Sequence, residues 1–425
     1  MKLFDWLPRL SGASGAASTR ADGGSFSARM SDQAARVAQS LPLPSRAQLA
    51  RIDEWLVAAV VLLLIGGAVM VYSASVALPD APKFANYPPT HFLFRHSMFI
   101  GFGLIAGLVA FQIPMHFWQR WAPMLFLAGL ILLVIVFIPG VGKGVNGAKR
   151  WIPMFFINLQ PSELMKLFVI LYGADYVVRK QALMQDFRQG LLPITVAVGL
   201  VGGLLLLQPD LGALIVISGI AVGILFLGGM NLRIFIGSVC ALGAVFMTVI
   251  VLSPWRRDRI FAYLNPWDEE NAQGKAYQLT HSLIAFGRGE FTGVGLGSSV
   301  EKLHYLPEAH TDFIMAIIAE ELGFIGVLAV VVLYVVILRK AFSIGRQAIK
   351  LDRMFAGLVA QGIGIWIGLQ AFINIGVASG LLPTKGLTLP FISYGGSAML
   401  MSCVAIAVLL RVDFESRQMM RGRKL

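Results

Sequence analysis

Charge is scarce in this chain: 14% of its 425 residues are Asp, Glu, Lys or Arg, where soluble domains carry about 25%. So few charges cannot cover a water-exposed globular surface, which excludes an ordinary soluble enzyme. Cysteine is nearly missing too. Cys240 and Cys403 both fall inside apolar runs, so no disulfide framework is implied. Acidic residues are outnumbered 23 to 35, giving a net charge of +12. In a soluble protein that excess would raise nucleic acid as a partner. Here the basic residues flank apolar runs, orientation charge is the simpler reading, and no nucleic acid is expected. Six histidines are scattered, without Cys/His metal-ligand spacing. Lone carboxylates could still share a divalent cation, Mg or Mn, with a pyrophosphate. No cleavable signal peptide is expected, because residues 1–50 are rich in Ser, Ala, Gly and Arg and lack an apolar core of the needed length. They read as a disordered cytoplasmic tail.

What the chain has is apolar length: 57% hydrophobic residues and 45 glycines. A membrane span needs about 20 mostly apolar residues. Ten runs qualify, at roughly 55–76, 93–113, 121–139, 162–178, 191–207, 211–228, 232–252, 313–338, 354–378 and 392–410. The expected fold is all-α, a polytopic ten-helix membrane domain over 51–425. Lys and Arg are concentrated on one set of connecting segments, which places both termini in the cytoplasm. The long loop 254–312, between the seventh and eighth spans, is then external.

Two further segments share that external side, the basic glycine-rich stretch 140–161 and 379–391. The latter leads into Gly386-Leu-Thr-Leu-Pro-Phe-Ile-Ser-Tyr-Gly-Gly396, the most informative stretch of the chain. Irregular backbone at a membrane boundary is tolerated where it is buried in protein or lines a wet cavity, so it points to a site. Within the long loop, Leu279, Leu283 and Phe286 recur at helical spacing and predict a short helix against the membrane or the bundle. Gly287, Gly289, Gly293, Gly295 and Gly297 are expected to break regular structure after it. Glu320 and Glu321 interrupt the eighth span, so 311–321 reads as helix at the outer edge.

Intramembrane ionisable residues cost on the order of 3 kcal/mol and are functional candidates by default. Glu163 and Lys166 are such a pair, three apart on one helix. The alternative is a capped helix start after Pro161. Asp312 closes Leu306-Pro-Glu-Ala-His310-Thr-Asp312 and opens an apolar helix. The plain reading is an N-cap, its anion favoured by the helix dipole; the sharper one is a proton acceptor, with Glu308 and His310 beside it. Lys149, Arg150 and Trp151 form a basic–aromatic knot, either an interfacial anchor or a pyrophosphate clamp. Gln208-Pro-Asp210 reads as a turn in which Asp210 caps the next span.

At these residues the chain resembles a known family. Asn374 to Ala398, with Gly380, Pro383, Gly386, Ser393, Gly395 and Gly396, is similar to the signature of the SEDS proteins (shape, elongation, division and sporulation). So are Gln160-Pro-Ser-Glu-Leu-Met-Lys166, Gln208-Pro-Asp-Leu-Gly212 and Leu306-Pro-Glu-Ala-His-Thr-Asp-Phe313. The likeness covers 55–412. Pro383-Thr-Lys-Gly-Leu-Thr-Leu-Pro390, Asn265-Pro-Trp267 and Gly287-Arg-Gly-Glu290 resemble the cell-division members more than the elongation members. The resemblance implies a peptidoglycan glycosyltransferase that polymerises lipid II at the septum of the bacterial inner membrane, its site facing the periplasm. It places the essential acid at Asp312. It puts a Glu and Lys pair near the cavity, matching Glu163 and Lys166, and Lys149, Arg150, His310, Glu308, Lys385 and Ser393 are further candidates for substrate binding. Implied partners are the lipid-linked glycan strand, a class B penicillin-binding protein (an FtsI-like transpeptidase) and a division regulatory complex of FtsQ, FtsL and FtsB type.

Two other readings fit many of the same residues. A lipid II flippase would also use buried charges and broken helices, although transporter sites lie near the bilayer midplane. A non-enzymatic division scaffold would show activity only in its partner.

Overall fold

The structure is a computed structural model and describes residues 52–82, 84–145, 148–154, 158–383 and 386–422. All of them belong to the compact unit Ser45–Leu425. The expected tail and Lys385 lie outside the described residues.

Among the described residues three helices come first: α1 (Glu54–Ser75), α2 (His91–Gln112) and α3 (Met115–Ile135). A three-stranded antiparallel sheet follows, β1 (Lys143–Val145), β2 (Ala148–Pro153) and β3 (Asn158–Leu159), in the order β1-β2-β3. Composition had marked this stretch only as glycine-rich and basic, and strands this short give no alternation to read. Then come α4 (Pro161–Arg179), α5 (Leu192–Leu207), α6 (Leu211–Leu227) and α7 (Leu232–Val251). The long connection holds α8 (Pro254–Leu264), α9 (Glu269–Gln273) and α10 (Tyr277–Gly289). Last are α11 (Ile314–Lys350), α12 (Met354–Ala378) and α13 (Gly396–Met420).

Each of the ten predicted spans coincides with one of these helices. Among the described residues, eight helices are long and apolar enough to cross a membrane. The remaining two matches are α6, apolar but only 17 residues long, and α4, which carries Glu163, Lys166, Asp175 and Arg179.

Burial sorts the helices into a centre and a rim. Fourteen residues of α4 are buried, as is 78% of the apolar stretch of α12, whereas none of α7 is. Val239, Val245 and Met247 of α7 are instead exposed, as suits a lipid-facing helix. Polar side chains can sit on α4 and α12 because protein, not hydrocarbon, surrounds them.

The predicted short helix is α10, and it lies against the bundle: the Ser282 hydroxyl donates to Ala378 O at 2.6 Å. Gly287 and Gly289 do not break it, contrary to the sequence reading. Both stay helical, and the left-handed glycines begin only at Gly293.

α11 is interrupted at Gly323 (φ 63°, ψ −162°). A Cβ there would lie 2.3 Å from Gly293 N, so only glycine fits. The backbone groups of the break are recovered by a ladder, with Val294 N donating to Glu320 O and Phe324 N to Glu290 O. The first two turns of α11 thereby form a separate short helix leading from Asp312, and Glu320 and Glu321 end it as expected.

Candidate active site

One end of the bundle gathers most of the sequence candidates, and α12 organises it. Gln370 and Asn374 stand one turn apart on that helix, both buried. Gln370 Nε2 donates to Thr388 O at 2.8 Å. Asn374 Nδ2 donates to Leu387 O at 2.5 Å and to Asp312 O at 2.8 Å. Two amides thus fix the Leu387–Thr388 backbone and the peptide of Asp312 at once. Neither was singled out from the sequence. The available signal was a pair of amides four residues apart in an otherwise apolar helix.

The lower half of the loop is held by Ser393. Its hydroxyl donates to Thr311 O at 2.6 Å and accepts from Leu389 N at 2.7 Å. Next to it, Tyr394 N donates to His310 O at 3.0 Å. The His310 ring is half-buried against Phe92 and Tyr394, with centroids 5.1 and 5.6 Å away. Burial lowers its pKa against the pull of Glu308, which favours the neutral imidazole. Exposed Glu308 accepts from the Thr311 hydroxyl at 2.7 Å.

Asp312 itself is half-buried. It does not cap α11, whose N-cap is Phe313 without a side-chain bond. Among the described residues nothing donates a hydrogen bond to its carboxylate. The expectation of a dipole-stabilised anion is therefore overturned. Burial, then repulsion from Glu308 and Asp210 set against attraction from Arg150, pushes the carboxyl up to about 7. A Cβ on Gly386 would stand 2.7 Å from Asp312 Oδ2, so any larger residue there would displace the carboxylate or the loop.

Behind this loop, Lys166 is fully buried. Its ammonium donates to Glu163 Oε1 at 2.6 Å and to Gln370 Oε1 at 2.8 Å, and lies 5.6 Å from the Trp366 ring centre. Gln370 Oε1 also accepts from Trp366 Nε1 at 2.8 Å. The Glu163–Lys166 pair expected from spacing is present, and Gln370 couples it to the loop that approaches Asp312. No side chain caps α4. Among the described residues Glu163 Oε2 has no hydrogen-bond partner, a costly arrangement for a buried carboxylate.

Arg150 comes from β2, half-buried, while Lys149 beside it is exposed. The Arg150 guanidinium donates to Gln208 O (3.0 Å) and Pro209 O (2.5 Å) and lies 3.8 Å from Asp210. Asp210 caps α6 through Ala213 N, as predicted, and accepts from Gln160 and Ser162 at 3.3 Å. Arg150, Asp210 and Gly386 line one pocket. Carboxylates do not converge around it: among the described residues, no three His, Cys, Asp or Glu side chains could hold a metal ion together. A divalent ion would have to take most of its ligands from elsewhere.

Sequence reasoning missed a second polar cluster, where the long connection meets the break in α11. Buried Lys302 donates to Glu321 (2.8 Å), Ser73 (3.0 Å) and Gly297 O (2.7 Å), while Glu320 accepts from Val300 N at 2.9 Å and the Ser299 hydroxyl. It clamps the segment leading to Asp312 onto α1.

Fold and site together define a polytopic helical membrane protein with a buried polar centre at one end of its bundle. Residues 54–418 match the FtsW/RodA/SpoVE family, described as cell cycle proteins. A probable peptidoglycan glycosyltransferase FtsW of Burkholderia thailandensis is 60% identical over 382 residues, 90% of this chain and 83% of that one. Another, from Aromatoleum aromaticum, is 56% identical, covering 96% and 97%. Among solved structures, a peptidoglycan synthase complex that coordinates polymerization and crosslinking contains a chain with TM-score 0.69 and 28% identity, covering 86% of this chain and 99% of that one. A mutant of the rod shape determining protein RodA of Thermus thermophilus gives 0.62 and 25%, covering 86% and 98%. The chain belongs to the FtsW/RodA/SpoVE family, and its relatives at high identity are FtsW proteins.

Proposed function

We propose that this protein is a peptidoglycan glycosyltransferase that polymerises lipid II into β-1,4-linked glycan during septal wall synthesis, with Asp312 as general base. The observation that carries this reading is a half-buried carboxylate, without a hydrogen-bond donor among the described residues, whose pKa lies near 7. Such a group can accept a proton near neutral pH and still hand it on. The names of the FtsW relatives supply the substrate class.

In the proposed step the 4-hydroxyl of the acceptor GlcNAc attacks C1 of the donor MurNAc. Its proton passes to an Asp312 carboxylate oxygen. The C1–O bond to the α-linked diphosphate breaks, and the electron pair leaves with the lipid diphosphate, so the product is inverted to β. Gln370, Asn374 and Ser393 hold the loop and the Asp312 peptide still; a reacting group misplaced by about 1 Å costs on the order of 10²-fold. Glu163, Lys166 and His310 act behind that loop, while exposed Lys149 and Glu308 can reach the saccharides, and Lys385 is a further proposed substrate-binding residue.

All ten matched helices cross the bilayer in this reading, both termini are cytoplasmic, and the site faces the periplasm. A class B penicillin-binding protein and a division regulatory complex are the proposed partners. The test is a reconstituted assay of labelled lipid II with the cognate transpeptidase, comparing wild type with Asp312→Asn. Glycan polymer made by wild type and lost in the variant is the expected result. Lipid II moved across vesicles without polymer would favour a flippase. Polymer made equally by the variant would remove Asp312 as the base, and neither polymer nor transfer until a partner is added would leave the scaffold reading.

A further inference from the structure

Beside Asp312 the structure holds more positive charge than the acid-base step uses. The pocket that contains Gly386 is lined in part by α8, which contributes Trp255, Arg256 and Arg259. Arg150, which also lines it, is already committed to two carbonyls and to Asp210. Arg256 makes one long bond, 3.3 Å, to Val249 O. Arg259 stacks on Trp255, 4.3 Å from the ring centre. Neither has a carboxylate partner among the described residues. Burial pulls the pKa of Arg259 down, as expected for a cation removed from water without a counter-ion. The one acid on α8, Asp258, is instead paired with Lys275 at 2.7 Å.

Three guanidinium groups around a small opening, against a single carboxylate that already serves one of them, form an anion site. The surroundings say which kind of anion. Leu252, Trp255, Phe261 and Leu264, on or next to α8, are all more than half exposed, and Ile250 and Ile260 line the pocket itself. A free phosphate or nucleotide has no use for such a rim. A diphosphate carried on a hydrocarbon chain does.

We propose that this pocket is the subsite for the lipid-linked diphosphate, with Arg256 and Arg259 as its binding cations. Resting on the glycosyltransferase reading, this places the leaving group across Gly386 from the Asp312 carboxylate. Negative charge would then develop against α8 while the proton is taken on the other side. Arg150 shapes the pocket by holding the 208–210 turn.

The test reads binding, not turnover. The full-length protein in detergent is titrated with undecaprenyl diphosphate, undecaprenyl phosphate and inorganic pyrophosphate by calorimetry. Wild type is compared with Arg256→Gln, Arg259→Gln, the double variant, Arg259→Lys and Arg257→Gln. Arg257 removes the same charge from the same helix but does not line the pocket. Each charge-assisted contact is worth about tenfold. The single Gln variants should therefore weaken undecaprenyl diphosphate about tenfold and the double about a hundredfold. Arg259→Lys should fall between wild type and Arg259→Gln, and Arg257→Gln should match wild type, all with unchanged melting temperature. A folded double variant that binds undecaprenyl diphosphate as wild type does overturns the proposal. So does inorganic pyrophosphate binding as tightly as the lipid-linked form, which would make this a free-anion site. Should the double variant not fold, the two single variants and Arg259→Lys decide by the same criteria. Arginine-dependent binding in a protein that makes no polymer would retain the subsite and remove the polymerase. Wild-type polymerisation by the double variant would do the reverse.

Discussion

At one end of the bundle Glu415 is held by Arg353, by Arg411 at 2.7 Å and by the Met115 amide at 3.0 Å. Nearby, Asp413 takes Arg417 at 2.8 Å, and Asp53 takes Lys340 at 2.9 Å while capping α1. At the opposite end Asp312 has no donor on its carboxylate among the described residues, Glu163 keeps one oxygen unpartnered, and Arg256 and Arg259 lack acids. The residue types are the same and their use differs in degree. At the first end the acids each hold a basic partner, although Asp413 Oδ1 and Arg353 Nη1 keep no further bond among the described residues, and the pairs tie α1, α11, α12 and α13 together. At the second, pairs such as Glu163–Lys166 and Arg150–Asp210 stand beside an acid and two arginines that have no ion-pair partner among the described residues, and the proposed function gives those three a substrate to meet.

The sharpest way to break the contrast is to neutralise one acid at each end. Asp312→Asn should lower polymerisation by about 10²–10⁴-fold, the usual contribution of a general base, while the protein stays folded. Glu415→Gln should do the reverse. It leaves Arg353 and Arg411 partly uncompensated, at a cost of about 3–5 kcal/mol of stability. Activity per folded molecule should stay near wild type, measured by thermal unfolding in detergent alongside the polymerisation assay. If Glu415→Gln lost catalysis without losing stability, the two ends would not be divided as described.

Much of this was legible in the sequence, for identifiable reasons. Long apolar runs have one folded solution in lipid, so the ten helical segments could be read from composition alone. The Glu163–Lys166 pair and the Asp210 cap are set by spacing within four residues. The role of Asp312 as a cap was misjudged because capping needs a backbone geometry that sequence does not show, and here the helix starts one residue later. The clamp by Gln370 and Asn374 and the cluster of Ser73, Lys302 and Glu321 join residues up to 248 apart. Contacts of that kind leave no local pattern. The arginines of α8 were visible, but only their position beside Gly386 distinguishes them from interfacial anchors.

A smaller change tests whether the free acid depends on its neighbour's shape. Gly386→Ala adds a Cβ 2.7 Å from Asp312 Oδ2, and either the loop or the carboxylate must move. Activity should fall by about 10²-fold, as for a displaced catalytic group, with stability little altered. An unchanged rate would mean that the close approach of loop and acid is incidental.

Acidity gives the finest test, because catalysis and stability should respond to it with opposite sign. With its pKa raised from 3.8 to about 7, Asp312 resists ionisation in the folded state. The stability this lends is whole below the ordinary value and is lost as pH rises towards 7. Catalysis needs the carboxylate, so kcat/KM should climb through the same interval, about tenfold per unit, and level off above it. Asp312→Asn removes the ionisation altogether. The variant should therefore be more stable than wild type at pH 8, by about 1–2 kcal/mol once screening of a half-buried group is allowed for, and equal to it near pH 4. A wild type whose melting temperature rises relative to the variant between those values would mean that the carboxylate has a partner after all, and the contrast between the two ends would fail.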